Sequence, residues 1–100
     1  MQVITAEELY KLAHNDDVIV LDVRELHEVE EQPFKNLDVV HIPMNSVPEK
    51  LDELDDEKHI IVACVMGGRS ARVCEFLYSR GYENVSNLTG GILAWQKLNF

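Results

Sequence analysis

The stretch His59–Leu77, with the sequence HIIVACVMGGRSARVCEFL, decides how this chain folds. It begins with an apolar run, Ile60–Ala63, that predicts a buried strand. A loop containing two glycines follows, and an amphipathic pattern then predicts a helix over Ser70–Arg80. The stretch therefore predicts a strand, a tight loop and a helix in direct succession, with Cys64 at the end of the strand.

Strands and helices are predicted to alternate along the rest of the chain. The predicted strands cover residues 2–4, 18–21, 39–42, 60–63 and 85–88. Helices are predicted after Thr5, over residues 25–31, after Ser46, over residues 70–80 and after Gly90-Gly91. This alternation predicts an α/β fold, a mostly parallel five-stranded sheet with helices on both faces, and a single domain over residues 1–100. In such sheets, sites form at the carboxyl ends of strands, where Cys64 lies.

Two capping boxes mark predicted helix starts. The segments Thr5–Glu8 and Ser46–Glu49 each place a hydroxyl three residues before a glutamate, so that each side chain can bond the other residue's backbone N–H. In the second segment Pro48 suits a first helical turn, and the apolar residues Val47 and Leu51 have helical spacing. The pattern therefore predicts an α-helix beginning near Ser46.

Composition excludes several classes of protein. Of 100 residues, 46% are apolar and 27% charged, as in globular proteins, and the net charge of −9 argues against a protein that binds nucleic acid. No run is long enough to span a membrane, and the N-terminus has no signal-peptide pattern, so a cytoplasmic location is expected. The histidines are scattered and no CxxC motif is present, so neither a metal site nor a cofactor is expected.

The loop after the predicted strand Ile60–Ala63 has the features of an anion cradle. Backbone N–H groups of a strand–loop–helix turn point toward one spot, and we expect Gly67 and Gly68 to provide the positive φ angles that this requires. Arg69 adds a permanent charge suited to oxyanions. A cysteine in this field should have a lowered pKa and act as a nucleophile. The alternative is that Cys64 is a buried core thiol at the end of a strand.

The stretch Cys64–Ser70, CVMGGRS, resembles the active-site loop C-x-x-G-x-R-S of the rhodanese (sulfurtransferase) family. Three further stretches, VIVLDVRELHEVE, HIPMNSVPEKLDEL and GYENVSNLTGGILAW, are similar to other motifs of that family in the same order. One family motif, G-H-I-P-G-A, is replaced here by EEQPFKNLDVV, and His41 stands at a position where the family has asparagine; no chemical role is expected for it.

The resemblance implies a rhodanese-type sulfurtransferase without a cofactor. Cys64 would be catalytic and would carry a persulfide between a small sulfur donor, either thiosulfate or a persulfide, and a thiol or cyanide acceptor. A protein persulfide is a further candidate partner. The substrate-binding loop would comprise Val65, Met66, Gly67, Gly68, Arg69 and Ser70. Relatives that use thiosulfate well often carry a basic residue in this loop, so the uncharged Val65 and Met66 suggest a less charged donor.

Two other functions remain open at this point. A noncatalytic rhodanese-fold interaction module usually lacks the cysteine that this chain has. The related phosphatases and arsenate reductases have five residues between cysteine and arginine, whereas four separate Cys64 from Arg69. The second cysteine, Cys74, is interpreted as a core residue rather than a resolving thiol. The side chains of Asp22 and Arg24 are expected to brace the fold, and those of Tyr82 and Trp95 to pack in it.

Overall fold

A parallel five-stranded sheet forms the centre of the molecule in the computed structural model, which describes residues 2–98. The strands are β1 Gln2–Ile4, β2 Val18–Asp22, β3 Val39–His41, β4 His59–Ala63 and β5 Val85–Leu88. They lie in the order β1-β5-β4-β2-β3, and every neighbouring pair is parallel. The predicted α/β class is confirmed, and β4, the strand before Cys64, lies in the middle of the sheet.

Helices cover both faces of the sheet. They are α1 Ala6–Leu12, α2 Leu26–Glu31, α3 Gly68–Ser79 and α4 Gly91–Gln96, with a 3₁₀ segment over Met44–Glu53. One apolar core lies between the sheet, α3 and the 3₁₀ segment, and a second lies between the sheet, α1 and α4. Within residues 2–98, no helix combines the length and the apolar character of a membrane span.

Local sequence signals explain where most of these elements begin. The predicted capping box at the start of α1 is present, because Thr5 Oγ1 accepts the Glu8 N–H at 3.1 Å and Glu8 Oε1 accepts the Thr5 N–H at 3.0 Å. The strand β2 is continuously apolar from Val18 to Leu21, since it is flanked by β4 and β3 and covered on both faces.

The prediction of an α-helix beginning near Ser46 was wrong. The chain forms 3₁₀ turns from Met44 onward, and the Ser46 N–H bonds to the Pro43 carbonyl, so Ser46 lies inside the segment and caps nothing. Pro48 has no N–H to donate to a helical ladder, and the backbone kinks at Lys50. A tighter 3₁₀ conformation in short pieces tolerates this interruption better than a continuous α-helix.

The helix after the cysteine loop begins two residues earlier than predicted. Its first residue is Gly68, and Gly67 is the N-cap with a φ of +117°. The expectation of positive φ is therefore confirmed for Gly67 and wrong for Gly68, which has helical backbone angles. The early start brings the N–H groups at the helix N-terminus close to Cys64.

Candidate active site

The cysteine loop is held in place by the last helix of the described chain. The N–H groups of Ile92 and Leu93 in α4 bond to the carbonyls of Cys64 and Val65, at 2.9 and 3.3 Å. These contacts require a glycine at position 91, where φ is +56° and a Cβ atom would lie 2.3 Å from the Val65 oxygen. The two carbonyls therefore point toward α4.

Several donors surround the sulfur of Cys64, a residue that is only 2% exposed. The Gly67 N–H donates to Sγ at 3.1 Å and the Ser70 N–H at 3.5 Å, while Ser70 Oγ lies 3.4 Å from Sγ. Burial acts to raise the pKa of the thiol, but hydrogen bonds from Ser70, Gly67 and Met66 outweigh it, so the pKa of Cys64 lies below its ordinary value. The geometry favours the thiolate, which is the nucleophilic form of cysteine.

Asn87 is a residue of this site that the sequence did not reveal. It lies near the carboxyl end of β5, half-buried, with its side chain between α3 and the loop. Its Oδ1 accepts the Ser70 hydroxyl at 2.5 Å, and its Nδ2 donates to the Gly67 carbonyl at 3.1 Å. The feature of the sequence that could have indicated Asn87 is its polar side chain, next to the apolar Leu88 at the end of a predicted strand.

Arg69 does not extend toward an open anion site. Its guanidinium forms two hydrogen bonds to the Glu28 carboxylate, at 2.7 and 2.9 Å. Hydrogen bonding from Arg69, together with the Glu25 N–H, lowers the pKa of Glu28 from 4.5 to about 2. The charge of Arg69 is therefore paired, and its clearest role is to tie the start of α3 to α2. Glu28 is a second residue that the sequence did not single out for the site.

Apolar side chains lie on the elements around the cysteine loop. Met66 in the loop is 70% exposed, Leu26 at the start of α2 is 59% exposed and Leu93 in α4 is 39% exposed. Val65, which precedes Met66, is half-buried, and its carbonyl accepts the Leu93 N–H. These four residues are named here the apolar rim.

The second cysteine is a core residue near this site. Cys74 is fully buried in the core on the α3 face of the sheet and forms no disulfide. Burial, and next to it the nearby charge of Cys64, raise the pKa of Cys74 to about 12. Its thiol is thus protonated at neutral pH, in agreement with the interpretation as a core residue.

The remaining residues singled out in the sequence have structural contacts. The Arg24 guanidinium forms a buried ion pair with Asp22 at 2.8 Å, and His41 Nε2 lies 2.7 Å from the Arg24 carbonyl. The Tyr82 hydroxyl donates to the Leu51 carbonyl, and the Trp95 indole N–H donates to the Lys35 carbonyl. Over residues 2–98, no three side chains of the metal-binding types lie together as a candidate site.

Comparisons with known proteins agree with this architecture. The sequence profile of the rhodanese-like domain family matches residues 5–98. A sulfurtransferase of Allochromatium vinosum is 32% identical over 87% of this chain and 79% of its own length. Thiosulfate sulfurtransferase GlpE of Coxiella burnetii is 30% identical over 89% of this chain and 81% of its own length. The crystal structure of a rhodanese-related protein from Thermoplasma volcanium covers 100% of this chain and 95% of its own, with 33% identity and a TM-score of 0.86. This chain belongs to the rhodanese-like domain family.

Proposed function

We propose that this protein is a sulfurtransferase that carries sulfane sulfur on Cys64. The observation that carries the proposal is the set of N–H groups, from Gly67 and Ser70, directed at a buried sulfur with a lowered pKa. The same donors are suited to hold the terminal sulfur of a persulfide, which is negatively charged like the thiolate. The names of the sulfurtransferase relatives support the same reaction class.

The reaction has two balanced halves. In the first, the Cys64 thiolate attacks the sulfane sulfur of the donor; the new S–S bond forms as the donor's S–S bond breaks, and the leaving group departs with its electron pair. That leaving group is sulfite for thiosulfate or a thiolate for a persulfide. In the second, an acceptor thiolate or cyanide attacks the terminal sulfur and releases the Cys64 thiolate. No external oxidant or reductant is consumed, and ping-pong kinetics follow.

The donor that the site favours is a persulfide rather than thiosulfate. Thiosulfate is a dianion and is best recognised by an unpaired cation, yet Arg69 is bonded to Glu28 and the cysteine loop presents Val65 and Met66. An apolar rim suits a small-molecule or protein persulfide, whose carbon skeleton can contact it. The GlpE relative is named for thiosulfate, so the test compares both donors: glutathione persulfide should react faster than thiosulfate at equal concentration, and the reverse order contradicts this preference.

Mass spectrometry after incubation with each donor tests the central proposal. The wild-type protein should gain the mass of one sulfur atom, located on Cys64 by peptide mapping, and lose it again on addition of a thiol or cyanide. Cys64→Ser should gain nothing, whereas the matched control Cys74→Ser should gain the same mass as the wild type. If the folded wild-type protein takes up no sulfur from either donor, the alternative of a noncatalytic interaction module is favoured instead.

A separate assay tests the phosphatase alternative. Four residues between Cys64 and Arg69 form a smaller loop than the five of the phosphatases and arsenate reductases, so hydrolysis of an aryl phosphate should be undetectable. The net charge of −9 argues against nucleic acid as a partner. We further propose a cytoplasmic location, because both cysteines are free thiols, as is usual in a reducing compartment.

A further inference from the structure

A closed ring of hydrogen bonds joins Cys64 to Asn87. The Gly67 N–H donates to Cys64 Sγ at 3.1 Å, Sγ lies 3.4 Å from Ser70 Oγ, the Ser70 hydroxyl contacts Asn87 Oδ1 at 2.5 Å, and Asn87 Nδ2 contacts the Gly67 oxygen at 3.1 Å. The proposed sulfur transfer uses Cys64, Gly67 and Ser70, and Asn87 has no part in it.

The ring determines the direction of its own hydrogen bonds. The Gly67 carbonyl can only accept, so the amide nitrogen of Asn87 must face it and the amide oxygen must face Ser70. An amide oxygen also can only accept, so the single hydroxyl proton of Ser70 must point to Asn87. Ser70 Oγ consequently presents a lone pair to the sulfur, and this arrangement accepts the S–H proton of a neutral thiol.

We propose that Asn87 is a positioning residue that holds the Ser70 hydroxyl proton away from Cys64 and thereby limits how far the site favours the thiolate. Ionisation of Cys64, with its proton passing to solvent, favours rotation of the Ser70 hydroxyl toward the sulfur. That rotation breaks the bond to Asn87 and leaves its amide oxygen without this donor. Asn87 therefore opposes the formation of the thiolate, while the N–H groups of Gly67 and Ser70 favour it.

Other charged groups near the sulfur do not carry this effect. Arg69 is paired with Glu28, and Glu25 lies close enough to Arg69 to act on its guanidinium. Asp22, at the end of β2 and in register with Ala63 of β4, is neutralised by a buried ion pair with Arg24. Cys74 on α3 stays protonated at neutral pH. Strand β5 holds no ionisable side chain and acts on Cys64 through the Asn87 amide.

The test is the pH titration of the Cys64 thiolate by its ultraviolet absorbance, with Cys64→Ser as the blank. Asn87→Leu removes the acceptor at similar volume and leaves the Gly67 carbonyl bonded to the Ala71 N–H. It should lower the titration midpoint by about one pH unit, a roughly tenfold change in thiolate fraction. The matched control Asn84→Leu, an exposed position outside the ring, should leave the midpoint unchanged.

A second substitution distinguishes hydroxyl direction from general disturbance of the loop. With Asn87 present, Ser70→Ala should change the thiolate fraction by less than about threefold, because the hydroxyl proton that it removes is bonded to Asn87 and not to the sulfur. In the Asn87→Leu background the same change should raise the midpoint by about one pH unit, since it removes a hydroxyl that donates to the sulfur once Asn87 is absent. Equal effects of Ser70→Ala in both backgrounds, or a midpoint that Asn87→Leu raises or leaves unchanged, would overturn the proposal.

The outcome remains decisive if Asn87→Leu does not fold. In that case Ser70→Ala in the wild type alone gives the answer, because a rise of one pH unit would show that the hydroxyl already donates to the sulfur. The inference rests on the proposed function only in taking ionised Cys64 as the attacking group. Titration measures ionisation and not sulfur transfer, so the two proposals can fail independently.

Discussion

The ion pair between Arg69 and Glu28 should contribute measurably to stability, and Glu28→Gln tests it with minimal change in shape. Glutamine still accepts the Glu25 N–H that Glu28 Oε1 now accepts at 2.9 Å, so the start of α2 keeps its backbone partner. The new amide nitrogen takes the place of Glu28 Oε2 and cannot accept from Arg69 Nη2, so the substitution removes the charge and one of the two hydrogen bonds. The variant should therefore keep its fold and lose much of the contact with Arg69.

The structure sets limits on the size of this effect. A fall in the pKa of Glu28 from 4.5 to about 2 corresponds to at most about 3 kcal/mol. Part of that shift comes from the Glu25 N–H, which the variant retains, and the two side chains are 33% and 24% exposed, so water screens the charges. For a bidentate, partly exposed pair we expect a loss of about 1–1.5 kcal/mol at pH 7.

Urea unfolding as a function of pH measures this contribution. Because the pKa of Glu28 is lower in the folded chain than its ordinary value of 4.5, the stabilisation is complete above about pH 5 and is lost as the pH falls toward 2. The wild type and Glu28→Gln should therefore differ at pH 7 and converge near pH 2. The control Glu30→Gln, exposed on the same helix, should show no such difference. A difference in unfolding free energy between the wild type and Glu28→Gln that is absent at pH 7, or constant from pH 7 to 3, would refute the reasoning.

Four further predictions concern the core, the cysteine loop and the buried ion pair. Cys74→Ala should leave sulfur-transfer turnover nearly unchanged and lower the unfolding free energy by about 1 kcal/mol, as measured by urea denaturation; a large loss of turnover would instead indicate a resolving thiol. Gly91→Ala should cost more than about 2 kcal/mol and abolish sulfur uptake in the mass assay, because its Cβ would meet the loop carbonyls. Gly68→Ala, whose Cβ would meet nothing within 4 Å, should be neutral or slightly stabilising in the same denaturation assay. Asp22→Asn should destabilise by about 3 kcal/mol on thermal unfolding, because it leaves the Arg24 guanidinium buried without a carboxylate.

The sheet could be predicted because its signals are local. A continuous apolar run such as Val18–Leu21 identifies a buried parallel strand, and the capping box at Thr5 identifies the helix start. The segment Met44–Glu53 was predicted wrongly because α-helix and 3₁₀-helix share capping residues and similar apolar spacing. The deciding interaction, from the Ser46 N–H to the Pro43 carbonyl, is not visible in a pattern of residue types.

The site was predictable only where it is contiguous in sequence. Cys64, Gly67 and Ser70 lie within one short motif, and their spacing indicates both the turn and its donors. Glu28 is 41 residues from its partner Arg69, and Asn87 is 20 residues from Gly67. Their positions depend on the strand order β5-β4-β2, which alternation of strands and helices does not specify.

The hydrogen bonds from α4 to the cysteine loop also have a consequence for how the protein is made. During synthesis Cys64 emerges well before Gly91, and the Cys64 and Val65 carbonyls have no α4 donors until that helix has docked. A partly synthesised chain therefore carries the cysteine without the fixed cradle that favours its ionisation. Ionisation of this thiol is therefore coupled to completion of the fold.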